Sequence, residues 1–191
     1  MTAAGMRRYH PAEMTDAMLV RLTLAGDQTA FAMLVDRHAR PCLRFATRML
    51  GSLEDAEDAT QEAFFRAHRA LAQYDEQMSF RTWVMSILVN RCRTALLYRR
   101  RRTSRLVLDA GAVARASEDS TAAATDLRDA IDRALTRLDP DQREAFLLKH
   151  VEQMNYDEMS AITGVGISAL KMRVQRARDR LQALLEEDRY D

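Results

Sequence analysis

Apolar side chains recur every three to four residues along most of this sequence, and that spacing limits the fold more than any other feature. The clearest run is Phe31, Leu34, Val35, His38, Cys42, Phe45 and Met49. Such spacing is typical of an α-helix that buries one face. The 191 residues include only 6 Gly and 3 Pro, too few for turn-rich sandwiches or barrels. We therefore predict an all-α fold and no strands.

Two helical segments are separated by a stretch of different composition. Residues 103–125 are rich in Ala, Ser and Thr and contain no aromatic side chain, which is typical of a flexible linker. We predict a mobile N-terminal arm at 1–14, a first domain at 15–102 and a second domain at 126–191. Each domain is small and helical.

Capping residues and prolines predict several helix boundaries. Asp16 is expected to cap a first helix, and Ser52, followed by Asp55, to cap a third. Pro41 is expected to kink or split the second helix. Trp83 lies at helical spacing and is expected to fill the core under a basic helix.

Charge is strongly segregated, although the net charge is only +1. Residues 80–105 carry eight arginines and no acid, whereas residues 52–62 carry five acids and no base. A second basic segment, 164–180, has five bases and one acid. Solvated helix faces are the ordinary explanation of such runs. Eight uncompensated arginines repel one another unless a polyanion relieves them, and the two basic segments therefore predict two anion-binding surfaces.

The second domain has the pattern of a helix-turn-helix. Asn155 caps a short helix, Thr163-Gly164-Val165-Gly166 turns the chain, and a basic helix follows from Ile167 or Ser168. In this motif the second helix enters the major groove. The alternative is an ordinary helical hairpin with a solvated basic face.

Other classes of site find little support. The two cysteines lie fifty residues apart, which excludes a disulfide scaffold. His38 and Cys42 have a metal-compatible spacing, but no third or fourth ligand lies nearby in sequence. We see no nucleophile elbow, phosphate-binding loop or zinc-protease motif, so no enzyme, cofactor or small-molecule substrate is expected. With no signal core and no long apolar run, a cytoplasmic location is expected.

Several of these segments resemble bacterial sigma factors of the extracytoplasmic-function (ECF) type. Three segments are similar to the promoter-binding C-terminal sigma domain: 138–146, 155–159 and 168–178. Four segments are similar to the other conserved sigma domain: 55–64, 80–84, 87–90 and the arginine run 99–102. The presence of these two domains alone, joined by a short linker, is the ECF arrangement.

The resemblance implies a role for each matching position. The residues that would contact the coiled coil of the polymerase largest subunit are Asp58, Gln61, Glu62 and Phe65. Those that would bind the −10 element are Asn90, Arg93, Thr94, Leu97 and the phosphate-clamping Arg99, Arg100, Arg101 and Arg102. Those that would bind the −35 element are Ser168, Lys171, Met172, Arg173, Gln175 and Arg176. The loop 74–79 would hold a base flipped from the non-template strand.

The resemblance also implies partners. These are core RNA polymerase, promoter DNA and an anti-sigma factor, often anchored in the membrane, which could hold the chain at the inner membrane face. Two other functions are compatible with the motifs. One is a free-standing helix-turn-helix regulator that binds DNA without polymerase. The other is a regulatory adaptor that sequesters a protein through its acidic helix.

Overall fold

The computed structural model describes residues 14–109 and 124–187, with side chains at 14–102 and 129–187. Every regular element in these residues is helical, which confirms the predicted all-α class. The N-terminal arm and most of the predicted linker lie outside the described residues. The helices are α1 (Asp16–Leu24), α2 (Gln28–Leu50), α3 (Leu53–Arg69), α4 (Phe80–Asp109), α5 (Ala124–Thr136), α6 (Pro140–Phe146), α7 (Tyr156–Thr163) and α8 (Ile167–Glu187).

Helices α1 to α4 form the first bundle, with α2 packed against the other three. Its centre contains large, fully buried side chains, among them Leu34, Phe45 and Phe80. Helix α4 continues seven residues beyond the predicted domain end at 102. Trp83 is half-buried, with its ring centroid 5.2 Å from that of Tyr74 and 5.8 Å from that of Phe80.

One local prediction in this bundle is wrong, and one of the two outcomes expected at Pro41 is not seen. Thr15, not Asp16, is the N-cap of α1, since its side chain accepts a hydrogen bond from the Met18 amide. Asp16 is the first helical residue and instead lies 2.8 Å from His38 Nε2. Pro41 does not split α2, which is continuous through it. Proline costs a helix interior about 3 kcal/mol, and packing of α2 against three neighbours offsets that cost.

Helices α5 to α8 form the second bundle, in which α8 packs against α5, α6 and α7. Asp139 caps α6 and Pro140 occupies its first turn, as predicted. One π-helical turn, Leu147–Val151, follows α6. Leu135, Leu147 and Met159 are fully buried between these elements.

The two bundles contact each other directly. Helix α7 packs on α4, and α5 packs on α2. The buried apolar residues of both bundles belong to one continuous cluster. Among the described residues no helix is both long enough and apolar enough to span a lipid bilayer.

Candidate polymerase and nucleic-acid interfaces

Helix α3 exposes an acidic face on the side opposite its core contacts. Ser52 begins the helix by accepting a hydrogen bond from the Asp55 amide (3.2 Å). Small side chains such as Ala56, Ala59 and Ala63 are buried. The opposite side contains the four predicted polymerase-binding positions, which are spaced as neighbours on one helix face: Asp58, Gln61, Glu62 and Phe65.

These four side chains are not equally available. Asp58 and Gln61 are exposed, and the Phe65 ring is 56% exposed. The Arg69 guanidinium lies 5.6 Å from the Phe65 ring centroid. Glu62 is bound to Arg66, whose Nε lies 2.7 Å from its Oε1, and this hydrogen bond lowers the pKa of the Glu62 carboxyl. The face therefore combines an open aromatic ring with an exposed Asp58 and a Glu62 carboxylate that Arg66 favours in its charged form.

The predicted −10 residues of helix α4 fall into two groups, one facing solvent and one bound to other parts of the protein. Asn90, Thr94 and Leu97 lie one turn apart on a single face, where Asn90 and Leu97 are exposed. Arg100, Arg101 and Arg102 are exposed beyond them. This face is acid-free and open to solvent, which suits it to nucleic acid.

Arg93 and Arg99 do not belong to that open face. Arg93 Nε and Nη2 lie 2.7 and 2.6 Å from the two carboxylate oxygens of Glu144, on α6. This hydrogen bond raises the pKa of Arg93. Arg99 Nη1 donates to the Leu50 carbonyl at the end of α2 (3.1 Å). In this conformation both guanidinium groups bind protein acceptors.

The loop before α4 is turned by its own side chains. The Gln77 amide donates to Asp75 Oδ1 (2.9 Å), and the Met78 amide donates to the Asp75 carbonyl (3.1 Å). Ser79 caps α4 by accepting from the Thr82 amide (3.1 Å). Asp75, Glu76 and Gln77 are exposed at the tip.

Helices α7 and α8 form the predicted helix-turn-helix. Asn155 and Glu158 form a reciprocal capping box at the start of α7. Gly164 has φ +70°, a left-handed conformation that ends α7 and that few other residues adopt readily. The Thr163 hydroxyl accepts from the Val165 amide (3.2 Å), which fixes the turn. Leu170, fully buried, then holds α8 against the domain.

The predicted −35 residues mostly share the exposed face of α8. Ser168, Lys171, Met172 and Gln175 follow helical spacing and are exposed, and Arg176 is exposed beside them. Arg173 differs from these, since its Nη2 lies 2.6 Å from Asp141 Oδ2 on α6. The Gln175 amide donates to Asp179 within the helix (2.8 Å).

Two residues that the sequence did not single out complete this surface. Lys149 Nζ lies 4.9 Å, and Lys171 Nζ 5.6 Å, from the ring centroid of Tyr156. An aromatic face attracts both ammonium groups, so two elements, the π-helical turn and α8, bring positive charge to the Tyr156 ring on α7. No local sequence signal marks this cluster, because Lys171 reaches the Tyr156 ring only after the turn at Gly164 is formed.

Two buried acids, Glu144 and Glu152, were also not predicted from the sequence. Each is 1% exposed, although both lie in a polar-looking stretch of the second domain. Carboxylates buried as deeply as Glu144 and Glu152 require charged partners. Partners that lie far away along the chain cannot be identified from sequence spacing.

Arg143 is a buried cation of the same region. It is 6% exposed and donates to the Met49 and Leu138 carbonyls (2.8 and 3.2 Å), and burial lowers its pKa to about 10.

Comparison with known proteins identifies two family regions along the chain. The chain matches the family model for sigma-70 region 2 over residues 34–102 and that for sigma-70 region 4 over residues 128–181. It is 30% identical over 177 residues to the ECF RNA polymerase sigma-E factor of Escherichia coli K12, covering 87% of this chain and 92% of that protein. It is 33% identical over 189 residues to the RNA polymerase sigma factor CnrH of Cupriavidus metallidurans, covering 92% and 97%.

Two solved structures are similar over most of the chain. CnrH in complex with the cytosolic domain of CnrY has a TM-score of 0.68 at 31% identity, covering 91% of this chain and 98% of that one. The sigma factor RpoE of Bartonella quintana, in complex with the anti-sigma factor NepR, has a TM-score of 0.67 at 30% identity, covering 82% and 96%.

Proposed function

The chain belongs to the ECF family of RNA polymerase sigma factors, and we propose how its surfaces divide the work of such a factor. As a family member it is a transcription initiation factor, not an enzyme: it binds core polymerase and directs it to promoters. The observation that best supports a division of labour is that three predicted faces, on α3, α4 and α8, are largely exposed on separate helices.

The α3 face binds core polymerase. Its carboxylates steer the chain toward a basic partner, and Phe65 supplies an apolar anchor that becomes buried on contact. Exposure of a large aromatic ring beside Asp58 and Gln61 supports this role, because the ring gains nothing from remaining in water.

The α4 face binds the −10 element. The Asn90 amide can hydrogen-bond a base edge, and Arg100 to Arg102 neutralise backbone phosphates. Bases held in the exposed loop 74–79 are available only when the strands separate, so binding there favours melting.

The α8 face binds the −35 element. Ser168, Lys171 and Gln175 follow the turn at Gly164 and can reach base edges in the major groove. Arg176 contacts phosphate, and the Tyr156 ring holds Lys149 beside Lys171 as a second cation. The first domain is assigned to 15–102, the linker to 103–125 and the second domain to 126–191.

An anti-sigma factor restrains this chain. Support comes from the similar RpoE structure, which is bound to an anti-sigma factor. The sigma factor itself works in the cytoplasm, where core polymerase and DNA are found. An inhibitor anchored in the membrane would hold it at the inner face until released.

Reconstituted transcription tests the proposal. The purified chain is mixed with core polymerase and genomic DNA, and the 5′ ends of the RNA products are sequenced. We expect discrete start sites that share sequence blocks about 10 and 35 base pairs upstream. Asn90→Ala should relax the preference at the first block and Lys171→Ala at the second. Footprints on promoters that form without polymerase, and do not strengthen when it is added, would instead identify a free-standing regulator.

A further inference from the structure

Two carboxylates of region 4 are buried beneath arginines of region 2. The Glu152 side chain is 0% exposed, and its oxygens lie 3.2 Å from Arg44 Nη2 and 3.0 Å from Arg81 Nη2. Arg81 Nη2 also donates to the Glu152 carbonyl (2.6 Å). Both arginines come from the first bundle, so this acid has no charged partner of its own domain among the contacts that bury it.

The second carboxylate, Glu144, is 2% exposed and binds Arg93 through both of its oxygens. The same guanidinium lies within 3.5 Å of the Thr163 carbonyl, at the end of α7. A planar guanidinium presents the same two-pronged donor fork to a carboxylate as to a phosphate. Glu144 therefore occupies the fork that Arg93 would use for promoter DNA.

Distances along the chain show that this arrangement cannot serve both promoter elements. Arg93 touches Thr163, and Ser168 is five residues further on, at most about 18 Å of extended chain. The −10 and −35 elements are separated by 25 base pairs, on the order of 85 Å at about 3.4 Å each. The two DNA-reading helices must move apart before both can bind one promoter.

We propose that this chain inhibits itself by closing region 4 onto region 2, with Glu144 and Glu152 standing in for phosphates on Arg93, Arg81 and Arg44. We call this contact the closed interface. The assignment rests on the proposed sigma function and on the role in −10 binding that the family resemblance predicts for Arg93. When the closed interface opens, both carboxylates and all three arginines return to water, so no buried charge is left unpaired. Polymerase and DNA bind the surfaces that are then exposed and thereby favour the open form.

A reversible disulfide tests the closed interface. A Cβ placed on Gly51 would lie 3.1 Å from Thr136 Cγ2, so cysteines at these positions, one on each bundle, are close enough for a disulfide in the closed interface. In the Gly51→Cys/Thr136→Cys variant we expect cross-linking under mild oxidation, seen as altered mobility on a non-reducing gel. Promoter-directed transcription with core polymerase should fall at least tenfold in the cross-linked form and recover on reduction.

The controls distinguish failure of the self-inhibition proposal from failure of the proposed sigma function. Each single cysteine variant, treated identically, should keep its activity under oxidation. Absence of the cross-link in folded protein, or full activity of the cross-linked form, overturns self-inhibition. If instead the wild type and the reduced variant both fail to direct transcription, the proposed sigma function itself is wrong.

A second variant avoids the left-handed position of Gly51. Glu144→Gln keeps the side-chain shape but removes the charge that holds Arg93. Without polymerase, its affinity for a single-stranded oligonucleotide carrying the −10 sequence should rise severalfold over the wild type. The charge-matched control is Glu186→Gln, an exposed acid near the far end of α8, which should leave affinity unchanged. Equal affinity for the wild type and Glu144→Gln contradicts the proposal.

Discussion

Arg173 Nη2 lies 2.6 Å from Asp141 Oδ2, which ties the DNA-reading helix α8 to the first turn of α6. Arg173 is 28% exposed and Asp141 57% exposed. Arg173 thus differs from Lys171, whose Nζ lies over the Tyr156 ring, 5.6 Å from its centroid. An arginine already bound to a carboxylate must exchange that partner before it can bind DNA.

Removal of the competing carboxylate should therefore strengthen DNA binding. We expect Asp141→Asn to raise affinity for −35 duplexes of any sequence up to about fivefold, the worth of an exposed pair of about 0–1 kcal/mol. Titration of labelled duplexes measures this, with Glu186→Gln as the control that loses the same charge elsewhere. An equal gain in both variants would mean a general charge effect, not release of Arg173.

The α3 face gives a second prediction. Combined Asp58→Ala and Gln61→Ala changes should abolish binding to core polymerase while leaving the circular dichroism spectrum unchanged, because both side chains are exposed. Glu57→Ala, at the edge of the same face, loses the same charge as Asp58→Ala and should retain binding. Size-exclusion co-elution with core polymerase is the measurement. Retained binding in the double variant would move the polymerase contact away from this face.

The exposed arginines Arg100, Arg101 and Arg102 of α4 give a third prediction. Changing Arg100, Arg101 and Arg102 to Ala should weaken binding to every promoter and reduce the slope of log affinity against log salt by about 1 per residue. Asn90→Ala should lower affinity only for matching −10 sequences and leave the slope unchanged. Identical slopes for the wild type and the triple variant would show that these guanidinium groups do not contact phosphate.

Local features of this fold could be predicted from sequence because they depend on a few neighbouring residues. The Asn155–Glu158 capping box and the Asp139-Pro140 helix start each require at most four consecutive positions. The cap of α1 was predicted one residue too late, because Thr15 and Asp16 are adjacent residues that can both cap a helix, and the contact that engages Asp16 comes from His38, 22 residues away. The helix through Pro41 depends on packing by three other helices.

In the candidate sites, too, local features could be predicted from the sequence and long-range contacts could not. The members of the faces on α3, α4 and α8 were predicted from the resemblance to ECF sigma factors, and helical periodicity accounts for their lying together on one side of each helix. The burial of Glu144 by Arg93 joins residues 51 positions apart, and that of Glu152 by Arg44 joins residues 108 apart. Acids in a sequence are normally solvent-exposed, and only the contact between the two bundles makes these two exceptional.

The two native thiols give the last prediction. Cys42 and Cys92 are 2% and 0% exposed, and burial raises the pKa of each to about 12. At pH 8 about one thiol in ten thousand is ionised at such a pKa, compared with about a quarter at an ordinary pKa near 8.5. Iodoacetamide should therefore leave the native protein unlabelled and modify both cysteines in urea, as counted by mass spectrometry. Glutathione in the same solution reports that the reagent is active, and rapid labelling of the native chain would show that the α2–α4 core opens in solution.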